Sequence, residues 1–133
     1  MKYSSGLYLK GKTILIVEDD YVCSQLIKEL LSDTQAEILH ALTAAKAVEI
    51  VAKNSHIDLV LMDIQLPDMN GLQASASIKN ISKSIPIVIQ TAYAFESYMQ
   101  KSKDIGCDAF LVKPIDPIKL FETVKKFLVK TRI

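Results

Sequence analysis

The chain has 133 residues, enough for one domain of ordinary size and too few for two. Half of them are hydrophobic, so it buries a real core and is not a disordered tail. Sixteen Lys+Arg against fifteen Asp+Glu leave a formal charge of +1, no basic excess for a phosphate backbone, which argues against direct DNA or RNA binding.

Residues 1–11 read as a polar leader with Gly6 and Gly11 and no signal-peptide core. No apolar run reaches the roughly 18 residues of a membrane span. After the leader, two kinds of segment alternate. Short runs rich in β-branched residues, Thr13–Val17, Glu37–Ala41, Ile57–Met62, Ile87–Gln90 and Ala109–Val112, predict buried parallel strands. Between them lie segments with helical spacing. In Tyr21–Leu31, residues Val22, Cys23, Leu26, Ile27 and Leu30 share a face. Thr43–Lys53 is rich in Ala and Val, with Thr43 as its N-cap. Asn70–Asn80 is weakly amphipathic, and Phe95–Ile105 is polar and stopped by Gly106. Pro117–Lys130 starts after the N-cap Asp116 and carries a stripe of Leu120, Phe121, Val124, Phe127 and Leu128, with Ile118 and Val129 off it.

Five strands alternating with five helices define an α/β fold, a doubly wound five-stranded parallel sheet with five helices. The last helix ends almost at Ile133, which leaves no room for an output domain. Cys23 and Cys107 form no CxxC pair and are read as reduced thiols of a cytosolic protein. His40 and His56 are too scattered for a metal site, and His40, inside a strand, reads as structural.

In such a sheet, ligands bind beyond the carboxyl ends of the strands. There stand Glu18-Asp19-Asp20, Asp63, Thr91 and Lys113-Pro114. Clustered carboxylates repel and need a cation. An all-oxygen set without Cys or His favours Mg²⁺ over zinc. Lys113 is placed to neutralise an incoming anion and Thr91 to hydrogen-bond it. This is a site for receiving a phosphoryl group on a carboxylate.

The strings ILIVEDD (14–20), LVLMDIQLPDMNG (59–71), PIVIQTAYA (86–94) and DAFLVKPID (108–116) resemble the receiver domain of two-component response regulators, over residues 12–131. The resemblance implies a flavodoxin-like strand order of 2-1-3-4-5. It makes Asp63 the phosphoacceptor, attacking a phosphohistidine to form an aspartyl phosphate. It makes Glu18, Asp19, Asp63 and the backbone carbonyl of Gln65 the Mg²⁺ ligands, Glu18 through a water. Lys113 would contact the phosphoryl oxygens, Thr91 and Phe110 would be the switch pair, and the Lys113–Pro114 peptide would be cis. Gln65 and Tyr93 occupy positions that tune phosphoryl lifetime, and a bulky Tyr93 implies slow self-dephosphorylation. Asp20 reads as solvated and Asp68 as turn chemistry after Pro67. Thr43-Ala44 stand where many relatives carry Asn-Gly, a difference of turn geometry and not of chemistry.

LMDIQLPDMNGL, QTAYA and GCDAFLVKPID look most like receivers of hybrid sensor histidine kinases, and LYLKGKTILIVEDD like the end of a kinase linker. That reading implies a phosphohistidine domain of a histidine kinase as donor and a histidine phosphotransfer protein as acceptor, docking near the first helix, where Val22, Cys23 and Leu26 read as core before interface. It places the domain in the cytoplasm, as the cytoplasmic part of a membrane-bound kinase, with no membrane contact of its own and homodimerisation open. The alternatives are a stand-alone single-domain response regulator and a pseudo-receiver that is never phosphorylated. A haloacid-dehalogenase-type phosphatase would need an acid at Gln65, which cannot transfer a proton.

Overall fold

The computed structural model describes residues 4–129; Lys130 and the end of the expected domain at 131 lie outside it. The elements run β1 (Thr13–Val17), α1 (Tyr21–Leu30), a short 3₁₀ turn (Ser32–Thr34), β2 (Glu37–Ala41), α2 (Ala44–Lys53), β3 (Leu59–Asp63), α3 (Gly71–Ile81), β4 (Ile87–Thr91), α4 (Glu96–Ile105), β5 (Ala109–Val112) and α5 (Pro117–Leu128). All neighbouring strands pair in parallel, in the order β2-β1-β3-β4-β5. β2 and β5 are therefore the sheet edges.

Strand alternation sends side chains to two opposite cores. Leu15, Val17, Val60, Met62, Ile87 and Ile89 meet α2, α3 and α4 on one face. Ile14, Ile16, Leu59, Leu61, Val88 and Leu111 meet α1 and α5 on the other. The central strands are apolar on both faces because both are covered. Caps set the helix starts: the side chains of Asp20, Thr43, Asn70 and Asp116 accept backbone N–H groups of α1, α2, α3 and α5. α4 ends at Gly106, whose φ of 102° suits a residue without Cβ.

Three expectations need correction, and one element was not expected. The third strand starts at Leu59 and not at Ile57, because Ile57 is buried but lies ahead of the ladder, whose first paired residue is Leu59. Asp63 and Thr91 lie inside β3 and β4, paired with Gln90 and Val112. The 3₁₀ turn after α1 has no counterpart in the sequence reading. On α1 the inward face is Ser24, Ile27 and Leu30, while Val22 is 77% exposed and Leu26 41%. Ser24 takes its place inside because its hydroxyl donates to the Tyr21 carbonyl at 2.9 Å.

The leader packs onto the domain over its described part. Leu9 is buried with the α1/α5 core, and its N–H donates to the Thr34 carbonyl at 2.7 Å. Asp33 accepts both the Ser5 backbone N–H and its hydroxyl. Off the main stripe of α5, Ile118 is exposed, whereas Val129 packs at the edge of that core.

Candidate functional site

At the carboxyl edge of the sheet one open depression is lined by Glu18, Asp19, Asp20, Asp63, Gln65, Thr91, Tyr93 and Lys113. The strand-end acids and the lysine picked out by the sequence thus converge. Lys113, at the end of β5, ties two of them together: its ammonium donates to Glu18 Oε1 and, at 3.3 Å, to Asp63 Oδ2. Glu18 is wholly buried and Asp63 nearly so, while Asp19 is exposed. Asp20 is also exposed; it caps α1, accepting the Cys23 N–H at 3.0 Å.

Burial is the main force on Asp63, and the neighbouring Glu18 adds to it; together they push its carboxyl up to about 7 against the pull of Lys113. Burial raises Glu18 as well, but hydrogen bonds from Asp63 and Lys113 outweigh it and hold Glu18 below the usual carboxylate range. Lys113 is raised, because Glu18 and Asp63 more than offset its own desolvation. Of the two neighbouring acids, Asp63 is the one its surroundings bias toward the protonated form. Such a pair is relieved by a cation.

One carboxylate oxygen each from Glu18, Asp19 and Asp63 lies within 4.8 Å of the others. Three hard oxygen donors in that space fit Mg²⁺. The Gln65 backbone, beside them, is held by its N–H to Asp63 Oδ1 at 3.3 Å and by a bridge to Asn70. Thr91 is buried, and its hydroxyl accepts the Tyr93 N–H at 3.0 Å. Phe110 lies half-buried against the α2/α3/α4 core. The register puts Phe110 beside Ile89 and Thr91 beside Val112, so Thr91 and Phe110 share a sheet face. The Lys113–Pro114 peptide is cis, as the resemblance implies. Both nitrogens of His40 are engaged, Nδ1 with the Lys28 ammonium at 3.1 Å and Nε2 with the Glu18 carbonyl at 2.7 Å.

Gly71, packed behind the site, has no role in the sequence reading, and Asp68 is read there as turn chemistry alone. A Cβ on Gly71 would stand 1.8 Å from the carbonyl oxygen of Asp63, so α3 can start against the back of this residue only as glycine. The signal was a glycine in the first turn of a helix, just after an Asn cap, where propensity disfavours it. Asp68 does more than shape a turn: it accepts the N–H groups of Ala44 and Ala45 and so binds the loop after β3 to α2.

Residues 14–125 match the model of the response regulator receiver domain. The chain is 32% identical over 119 residues to the polar-differentiation response regulator DivK of Brucella ovis, covering 88% of this chain and 96% of that protein. A CheY-like receiver domain protein of Methanospirillum hungatei superposes with a TM-score of 0.84 at 31% identity, over 88% of this chain and 93% of that one. The receiver domain of a sensor histidine kinase of Pseudomonas aeruginosa, solved with a magnesium ion in its active-site cleft, matches with a TM-score of 0.80 at 24% identity, over 90% and 99%. The chain belongs to the response regulator receiver family of two-component signalling, with its CheY-like fold.

Proposed function

We propose that this receiver accepts a phosphoryl group from phosphohistidine onto Asp63. The observation that carries the proposal is the ion-paired group of Glu18, Asp63 and Lys113 at the mouth of the sheet. An Asp63 carboxylate oxygen attacks phosphorus. The P–N bond to the donor imidazole breaks, and the ring nitrogen keeps the electron pair and takes up a proton. Glu18, Asp19, Asp63 and the Gln65 carbonyl would hold Mg²⁺, whose charge keeps Asp63 ionised and offsets that of the phosphoryl oxygens. Lys113 leaves its carboxylates for those oxygens. Thr91 gives up Tyr93 N–H to hydrogen-bond the new group, and Phe110 on the same face follows. The domain is a phosphoacceptor with at most slow self-dephosphorylation.

The parent is read as a hybrid sensor histidine kinase within a cytoplasmic phosphorelay, on the strength of the strings LMDIQLPDMNGL, QTAYA and GCDAFLVKPID. Its partners are then a phosphohistidine-bearing helical domain and a histidine phosphotransfer protein. The exposed apolar side chains of Tyr21, Val22 and Leu26 beside the site give a helical partner something to bury. Among the described residues no helix is long and apolar enough to cross a membrane. A second reading, a stand-alone regulator, is favoured by the near full-length match to DivK.

The test is intact mass after incubation with phosphoramidate and Mg²⁺. One added phosphoryl group, lost without Mg²⁺ and in Asp63→Asn, is expected. If neither phosphoramidate nor a phosphorylated histidine donor labels folded protein, the pseudo-receiver reading replaces this one.

A further inference from the structure

Gln90, the residue before Thr91, is fully buried, and among the described residues neither its Oε1 nor its Nε2 has a hydrogen-bond partner. Buried amides are nearly always satisfied, and one that is not calls for an explanation. The register supplies it. Leu61 stands beside Val88 on the α1/α5 face and Met62 beside Ile89 on the opposite one. One step further, Asp63 stands beside Gln90, back on the α1/α5 face. On its other side Gln90 faces Leu111, which offers no polar atom. Lys113, two residues along β5 from Leu111, returns to the same face and reaches Asp63. The same face of the sheet thus carries Gln90 in register with Asp63, and Lys113 beyond the end of β5.

We propose that Gln90 is a positioning residue of the phosphoacceptor site, unpartnered in the resting form and hydrogen-bonded to Asp63 when Asp63 carries a phosphoryl group. This rests on the phosphoacceptor reading above. At rest the Asp63 oxygens are occupied by the Lys113 ammonium and the Gln65 N–H. Attack by Oδ1 makes it the bridging oxygen of the P–O bond and leaves Oδ2 a carbonyl with two lone pairs; one would serve Mg²⁺, and Lys113, drawn to the phosphoryl oxygens, vacates the other. An acceptor is then released beside a buried N–H donor that lacks one. An aliphatic residue in this place would avoid the desolvation of an unpaired amide. The resting form is thus raised relative to the phosphorylated one, and the amide biases the domain toward accepting the group.

The experiment compares wild type, Gln90→Leu and Gln90→Met in their affinity for beryllofluoride with Mg²⁺, a stable mimic of the phosphoryl group, and in thermal unfolding without it. Both variants are expected to melt no lower than wild type yet bind beryllofluoride about tenfold more weakly, about 1.4 kcal/mol. Unchanged affinity in both variants overturns the proposal, since a merely structural amide would alter melting alone. Loss in the Leu variant with wild-type affinity in the Met variant also overturns it, because side-chain length and not the amide would then matter. So does a variant that melts well below wild type. Wild type that neither binds beryllofluoride nor gains phosphoryl mass defeats the phosphoacceptor reading itself, a result distinct from any difference between the variants.

Discussion

Asp68 Oδ1 accepts the backbone N–H of Ala44 at 2.9 Å, across from the loop after β3 to the first turn of α2, and its other oxygen takes Ala45 at the same distance. The opening N–H groups of a helix have no partner within it, so the loop supplies one. The same loop carries Gln65. Helix α2 and the expected metal-binding backbone are thereby one mechanical unit.

Asp68→Ala should lower the melting temperature at neutral pH. The amides of Ala45 and Ala44 hold this carboxyl below its usual range. Its contribution is present above the unfolded-state pKa and disappears as pH falls through the folded-state one. The difference between wild type and variant, followed by thermal unfolding, should shrink in acid; a constant difference would contradict it.

Asp63 gives the opposite slope. Its folded-state pKa of about 7 lies above the roughly 3.9 of an unfolded Asp, so between those values the folded state holds a proton the unfolded chain has lost. In chelator, stability should fall as pH rises from about 4 to about 7. Asp63→Asn should remove that fall, and Mg²⁺ should stabilise wild type increasingly toward the upper end. Parallel profiles for wild type and Asp63→Asn would refute the assignment.

Gly71→Ala forces a methyl group into backbone that cannot give way. The expected cost is at least about 2 kcal/mol in denaturant unfolding, with phosphoryl acceptance impaired in whatever remains folded. A variant as stable as wild type would mean that α3 can shift away from Asp63.

Cys23 should react slowly. Burial, then a hydrogen bond to the anionic Glu18, pushes its thiol up to about 12, and the thiolate is the nucleophile. Iodoacetamide at pH 8 should modify native protein far more slowly than protein in denaturant. Equal rates would place the thiol in an environment unlike the one described.

Tyr93, exposed at the rim of the site, should shield an aspartyl phosphate from water. Tyr93→Ala should shorten the life of the phosphorylated form several-fold, read as loss of phosphoryl mass with time. A wild-type half-life of seconds would already remove the argument.

The sequence was most legible where a run of β-branched residues is bounded by turns. Thr13–Val17, Glu37–Ala41 and Ala109–Val112 form strands at those limits. Legibility failed where apolarity and pairing part company, as at Ile57. It failed on α1, whose five apolar residues span more of the helix circumference than the sheet covers, so that Val22 stays outside and Ser24 goes in. The strand-end acids and Lys113 were legible because their chemistry follows immediately after strands. Gly71 and the pairing of Asp63 with Gln90 were not: one is set by a close approach and the other by register, and neither is written in any single segment.

The open edge at β5 has only four residues; Lys113 gives its N–H to the Thr91 carbonyl, and Pro114 after it has none to extend the edge. An unpaired sheet edge is a template on which foreign strands add and aggregates grow. Here the template stops almost as soon as it starts. Copies crowded together in solution find little ladder to zip along this edge.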